Sequence, residues 1–266
     1  MRQSLNITCE GSELVGTLDT GDRTTGLLIV SGGNEIRIGA HRGMAELAAA
    51  VALEGHPVLR FDRRGVGDSE GLNAGYSSSG PDIAAAVAAF RREVPALTRI
   101  VAFGNCDAAT ALTVHRGNTT LDGLVLANPW VVAPVDDLPP AAAIKGRYVR
   151  RLRDPAAWAA LLTGRIDMRG LARGLGRLAQ PRREAPLAES FAVALGTSTI
   201  PASILLASGD GTALAFADAW KTDAFAAARE QPGVQIVSFE SASHSFASVA
   251  DFAVLLQAIL DALKLA

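Results

Sequence analysis

The sequence predicts an α/β fold, a mostly parallel, doubly wound sheet interrupted by one helical insertion. Three observations lead there. Short apolar runs alternate with longer Ala-rich segments in both the first and the last part of the chain. These runs are apolar throughout rather than alternating, as strands are when helices cover both faces of their sheet. The rhythm also stops near residue 130 and resumes near 195, with an arginine-rich stretch between. A chain of 266 residues fits one large α/β domain carrying a sizeable insertion.

Each element follows from local pattern. Residues 26–31 (GLLIVS) read as a buried strand, followed by the glycine loop Gly32-Gly33-Asn34. Residues 41–54 suit a helix, stopped by Gly55. Residues 57–62 (PVLRFD) form the next strand and end in the loop RRGVGDSEG. A helix near 81–93 precedes a strand at 99–104 (RIVAFG), and a sharp turn leads into a helix near 107–116. A strand follows at 123–127 (GLVLA). After the insertion come a strand at 202–207, a helix near 213–229, a strand at 234–239 and a closing helix near 246–264. Residues 1–129 and 196–266 are thus expected to form the core, and 130–195 a helical cap over the strand C-termini.

Composition narrows the function classes. Apolar residues make up 49% of the chain and charged residues 20%, enough to fill a core and too apolar for disorder. The net charge of −2 argues against a dedicated nucleic-acid binder. The two cysteines, Cys9 and Cys106, have no CxxC or Cys/His partner at metal-ligand spacing. A disulfide scaffold is excluded, and no metal or cofactor is expected. Reduced thiols point to the cytoplasm. The first residues lack a signal-peptide pattern. No stretch reaches the roughly 18 apolar residues of a membrane span.

The sharpest local feature is Phe103-Gly104-Asn105-Cys106-Asp107-Ala108, between an expected strand and an expected helix. A nucleophile elbow needs that setting, because a strained strand-to-helix turn lifts the reactive atom above the sheet. Backbones crowd there, so small residues must stand two before and two after the nucleophile. Gly104 and Ala108 meet that demand. The competing reading is a buried cysteine packing as a small hydrophobe. Two more residues shift the balance. Asp210 follows the strand ASILLAS, and His244 follows VQIVSFE, which is the acid-then-histidine order a triad on such a sheet requires.

The remaining assignments follow from this frame. An oxyanion hole needs backbone N–H donors, expected from Asp107 and from the glycine loop through Gly33 or Asn34. His41 and Asn105 are candidate pocket residues. His56 and His115 are expected to be structural or exposed, and Asp218 and Asp223 are fallback acids on a helix. A free thiol titrates near pH 8.5, at about the value that an imidazole and a helix N-terminus can lower enough to give a thiolate. Attack on an activated carbonyl would then give an S-acyl intermediate.

The strand followed by GGN, the tract FDRRGVGDSEG, the elbow GNCDA, Asp210 and His244 together resemble the α/β-hydrolase superfamily over nearly the whole chain. More narrowly, GGNEIRIGAHRG, PVLRFDRRGVGDSEG, GNCDAATAL and YVRRLRDPAAW…LLTGRIDMR are similar to the cysteine-containing hydrolases of the bacterial exosortase A system. That likeness spans roughly residues 25–170. It implies a bacterial cytoplasmic acyl hydrolase or acyltransferase. Ser31 replaces the histidine of the common H-G-x oxyanion motif, and Asn34 stands where proline is frequent, so the second donor stays open.

Residues 145–184 hold eleven basic groups and three acids, a local charge of +8 against about −10 for the remainder. This segment is either a solvated helix face or an entrance for an anionic acyl substrate, such as a coenzyme A or carrier-protein thioester. Three functions remain open: hydrolysis of esters or thioesters, acyl transfer to an alcohol or amine, and noncatalytic binding.

Overall fold

In a computed structural model, residues 1–132 and 186–265 are described. The greater part of the expected cap, with its arginine-rich segment 145–184, lies outside the described residues. Among those described, eight strands form one sheet in the order β1-β2-β4-β3-β5-β6-β7-β8. The strands are β1 (Arg2–Cys9), β2 (Ser12–Asp19), β3 (Thr25–Val30), β4 (Val58–Phe61), β5 (Arg99–Asn105), β6 (Gly123–Ala127), β7 (Ala202–Ala207) and β8 (Val234–Phe239). From β4 to β8 every neighbouring pair is parallel, while β1 pairs β2 and β2 pairs β4 antiparallel. The chain therefore has the expected α/β-hydrolase architecture.

Helices cover both faces. They are α1 (Gly43–Leu53), α2 (Ser79–Glu93), α3 (Asp107–Val114), α4 (Pro186–Gly196), α5 (Gly211–Ala219), α6 (Ala226–Arg229) and α7 (Val249–Leu265). Successive strand side chains point to opposite faces. Leu27, Ile29, Val101 and Phe103 therefore pack with α1 and α7, whereas Leu28, Val30, Ile100 and Ala102 pack with α2 and α3. Both sets are fully buried, which explains why the strands read as continuous apolar runs.

Two features depart from the sequence expectation. The first is the hairpin β1–β2, joined by Glu10 and Gly11, both at positive φ as a two-residue turn requires. Its outer strand is mostly exposed and polar, so it lacks the apolar run that marked the other strands. The second is the helix expected near 213–229, which divides into α5, a 3-10 turn at Asp223–Phe225 and α6. Phe216, Trp220 and Phe225 pack on one another there, with ring centroids 5.4–5.8 Å apart. Arg229 donates to the carbonyls of Trp220 and Thr222, at 2.5 and 2.8 Å, and so satisfies groups left open by the break. Aromatic packing outweighs the helical propensity of the Ala-rich sequence.

The last residues of the expected insertion form α4. Phe191 on this helix is fully buried and meets Phe216 edge-to-face at 5.7 Å, which ties α4 to the core.

Candidate active site

The parallel strands end at one edge of the sheet, and the sequence-predicted residues gather there. Cys106 sits between β5 and α3 with φ 60° and ψ −124°, a left-handed conformation that side chains rarely adopt. Such strain costs on the order of 1–3 kcal/mol and must be held by its surroundings. Here the Cys106 N–H donates to the Ala127 carbonyl at 3.0 Å, and the Cys106 carbonyl accepts from the Trp130 N–H at 3.2 Å. The Thr110 hydroxyl donates back to the Trp130 carbonyl at 2.5 Å. The chain after β6 therefore clamps the elbow.

Close approach explains the small residues. A Cβ on Gly104 would lie 2.8 Å from the Ala108 carbonyl carbon, and one on Gly32 would lie 2.6 Å from the Asn105 carbonyl oxygen. Neither position admits a side chain without moving backbone. Cys106 itself is part-exposed, while Cys9 is buried at the end of β1, where burial first and then the Asp82 charge raise its thiol to about 11. The two cysteines are chemically distinct.

Asp210 caps the N-terminus of α5. Its Oδ1 accepts the N–H groups of Thr212 and Ala213 at 3.0 and 2.9 Å, leaving Oδ2 to accept His244 Nδ1 at 3.0 Å. Burial pushes this carboxyl upward, but the bonds from His244, Ala213 and Thr212 outweigh it and leave it below the ordinary value. His244 lies in the loop between β8 and α7, where the Cys106 side chain acts on its ring. Its imidazolium is held up to about 10, by the Asp210 hydrogen bond first and the Cys106 bond second, against burial. Phe246, buried and stacked on Phe239 at 5.6 Å, anchors this loop in the α1–α7 side of the core.

The oxyanion region differs from the simple expectation. The Gly33 N–H donates to the Asp107 carboxylate, so this donor is engaged in the structure. Arg63 donates to Asp107 Oδ2 at 3.2 Å, to the Gly33 carbonyl at 2.7 Å and to the Ser79 hydroxyl at 2.8 Å. Sequence reasoning gave the tract containing Arg63 no role near the elbow, and no local pattern links residues so far apart in the chain. The Asn34 side chain accepts from Asn73 at 2.8 Å and the Asp107 N–H opens α3.

Of the other candidates Asn105 stays at the site, where its amide donates to the His244 carbonyl at 2.9 Å, and the histidines lie elsewhere. His41 is exposed, at φ 53°, just before α1. His56 is buried against the Thr25 carbonyl at 2.7 Å, and His115 bonds the Tyr76 carbonyl at 2.9 Å. Asp62 and Ser69 of the tract after β4 bind Arg37, the Asp68 N–H and the Val15 N–H, a scaffolding arrangement. Among the described residues no group of three or more His, Cys, Asp or Glu could hold a metal.

The profile of the family described as serine aminopeptidase, S33, matches residues 25–200. The chain belongs to that family. It is a hydrolase of the α/β class, carrying Cys106 at the elbow of a family described by its serine. The match ends before Asp210 and His244, which the fold brings to the elbow. No curated protein matches the chain in sequence. Solved structures similar in fold include an esterase of Pyrococcus furiosus, 16% identical with a TM-score of 0.67, covering 99% of this chain and 90% of the other. An α/β hydrolase from Penicillium sp. sh18 is 15% identical with a TM-score of 0.68, covering 99% and 98%. The thioesterase domain from the curacin biosynthetic pathway is 13% identical with a TM-score of 0.58, covering 98% and 99%. Among the described residues no helix is long and apolar enough to cross a membrane.

Proposed function

We propose that the chain is an acyl hydrolase of esters or thioesters, acting through Cys106, His244 and Asp210 with an S-acyl intermediate. The observation that carries this reading is the position of one ring. His244 Nδ1 is bonded to Asp210, and the Cys106 side chain is the next group that holds its imidazolium up. An imidazole held protonated to about 10 can pair with a thiolate at neutral pH. The thiolate attacks the acyl carbon, and the carbonyl electron pair moves to oxygen. Collapse expels the alkoxide or thiolate leaving group, which takes the proton from His244. Water then attacks the S-acyl carbon while neutral His244 accepts its proton. Loss of the Cys106 thiolate releases the acid and restores the imidazolium.

Leaving-group chemistry favours esters and thioesters over amides. A tetrahedral adduct of a thiolate returns the thiolate more easily than it expels an amine. The names of the Pyrococcus esterase and the curacin thioesterase support the same bond class. Acyl transfer to an alcohol or amine is the second reading, using the same intermediate. The likeness to the exosortase-associated cysteine hydrolases supports the thiol as nucleophile and a bacterial cytoplasmic setting. The +8 segment 145–184 suits a coenzyme A or carrier-linked acyl group.

Purified protein and Cys106→Ala are compared on 4-nitrophenyl esters, acyl-coenzyme A thioesters and an aminoacyl 4-nitroanilide, with intact-mass detection of an acyl adduct. Turnover of esters or thioesters together with an adduct confined to the parent is the expected result. An alanine variant that matches the parent would overturn the reading.

A further inference from the structure

Asn105 precedes the nucleophile, and Asn128 follows β6. Both side chains are nine-tenths or more buried, and neither contacts Asp210 or a substrate in the proposed mechanism. Three hydrogen bonds run through them. The Ala207 N–H donates to Asn128 Oδ1 at 3.0 Å. Asn128 Nδ2 donates to Asn105 Oδ1 at 3.3 Å, and Asn105 Nδ2 donates to the His244 carbonyl at 2.9 Å.

The ends of this chain fix its direction. A backbone N–H can only donate and a backbone carbonyl can only accept. Ala207 therefore compels Asn128 to present its oxygen, which turns the Asn128 NH2 toward Asn105. Asn105 must then offer its oxygen to Asn128 and its NH2 to His244. Flipping either amide would set two donors or two acceptors against each other in a buried site. Asn128 has φ 42°, a left-handed backbone that Asn adopts more readily than most residues, and its N–H donates to the Leu205 carbonyl at 2.9 Å.

The relay joins the segments that carry the three proposed catalytic groups. Ala207 ends the strand before Asp210, and its carbonyl accepts the Asp210 N–H at 2.9 Å. Asn105 is bonded in sequence to Cys106. His244 receives the last bond at its own backbone, in a loop whose other residues are largely exposed or half-buried.

We infer that Asn105 and Asn128 are positioning residues, an amide relay of one polarity that sets the His244 backbone relative to Cys106 and Asp210. The inference rests on the triad reading above. Misplacing a catalytic group by about 1 Å can cost on the order of 100-fold in rate. Asn128 also begins the segment that clamps the elbow, so the His244 resonance, read beside Asn105→Leu, separates the relay from an effect on the Cys106 backbone.

The experiment uses Asn105→Leu, which keeps volume and removes the amide, Asn128→Ala, and the double variant. Four readouts are taken: Tm, kcat and KM on a 4-nitrophenyl ester, the pH profile of Cys106 alkylation by iodoacetamide, and the downfield NMR resonance of His244 Nδ1–H. Each single variant should lower kcat about 10- to 100-fold with KM within about threefold, and displace both the alkylation profile and the resonance. The double variant should be no worse than Asn105→Leu, because both cut one path. Variants that lower Tm but keep the parent's alkylation profile and resonance would overturn the relay. Should Asn128→Ala fail to fold, the Asn105→Leu profile and resonance decide alone. The resonance needs no turnover, so a parent without Cys106-dependent hydrolysis would refute the hydrolase reading while the relay is still judged.

Discussion

The Asp107 carboxylate accepts the backbone N–H of Gly33, so the residue after the nucleophile holds a donor that a reaction oxyanion would need. Arg63 anchors the same carboxylate. A hydrogen bond to a charged group contributes about 1.5–3 kcal/mol, and substrate must displace it before Gly33 can serve the oxyanion. Asp107→Ala removes that competitor and keeps the Asp107 backbone N–H. An aldehyde that forms a thiohemiacetal with Cys106 should bind this variant about tenfold more tightly or better. Titration of the inhibitor against parent and variant measures it. Equal or weaker binding would mean that Asp107 supports the glycine loop without occupying the donor.

The pairing of His244 with Asp210 also makes stability depend on pH. His244 is raised from 6.5 to about 10 by its Asp210 and Cys106 bonds. Its contribution is fully present below 6.5 and is lost as pH rises through about 10. Asp210 is lowered below its ordinary value of 3.8, so its contribution is present above that pH and lost on acidification. Urea unfolding of the parent should therefore weaken between pH 6.5 and 10 relative to His244→Gln. Turnover should fall across the same alkaline limb, because the leaving group loses its acid. A parent and variant with parallel stability curves would contradict the pairing.

Exchange of sulfur for oxygen tests whether the site is adapted to a thiol. Asp210, the largest cause that holds the His244 imidazolium up, stays in place when Cys106 is replaced. The ring remains biased toward its protonated form and is a poorer base for a serine hydroxyl. Cys106→Ser should therefore lose activity at pH 7 on the order of 100-fold or more, a loss within the range that base catalysis supplies. Raising the pH should recover part of it. Initial rates from pH 6 to 10 on one ester provide the measurement. A serine variant equal to the parent at pH 7 would contradict a site adapted to a thiol.

Much of this arrangement was legible before any coordinates. Strands β3 to β7 are largely buried and announce themselves as apolar runs, while β8, at the sheet edge and part-exposed, is marked by its β-branched residues. The strand ends carrying Cys106, Asp210 and His244 could therefore be placed by pattern alone. The hairpin β1–β2 could not, because one of its strands faces water and its turn is Glu10-Gly11 rather than a stronger Asn-Gly or Asp-Gly signal. Side-chain partners of the elbow were hidden for a different reason. Arg63 reaches Asp107, and Asn128 reaches Asn105, only after parallel strands distant in sequence are laid side by side. Position in the motif carries no information on where the Asn105 amide points, so its bond to the His244 carbonyl was not legible.

Phe191 offers a test of how α4 is held to the core. It lies on α4, directly after residues 133–185, and is fully buried among Phe216 and Phe225. Its ring meets Phe216 at 5.7 Å and Phe225 at 6.3 Å, and Trp220 closes the cluster behind them. Phe191→Ala removes the ring from a site whose neighbours are themselves locked by aromatic contacts, so collapse into the cavity is limited. The expected cost is about 3–5 kcal/mol, equivalent to roughly 10 °C in Tm for a chain of this size. None of the cluster bonds Cys106, Asp210 or His244, so kcat on a short ester well below the transition should stay within about threefold of the parent. Calorimetry together with initial rates at 20 °C separates the two effects. A large loss of kcat at unchanged Tm would show instead that α4 acts on the site itself, through its packing against α3 beneath the elbow.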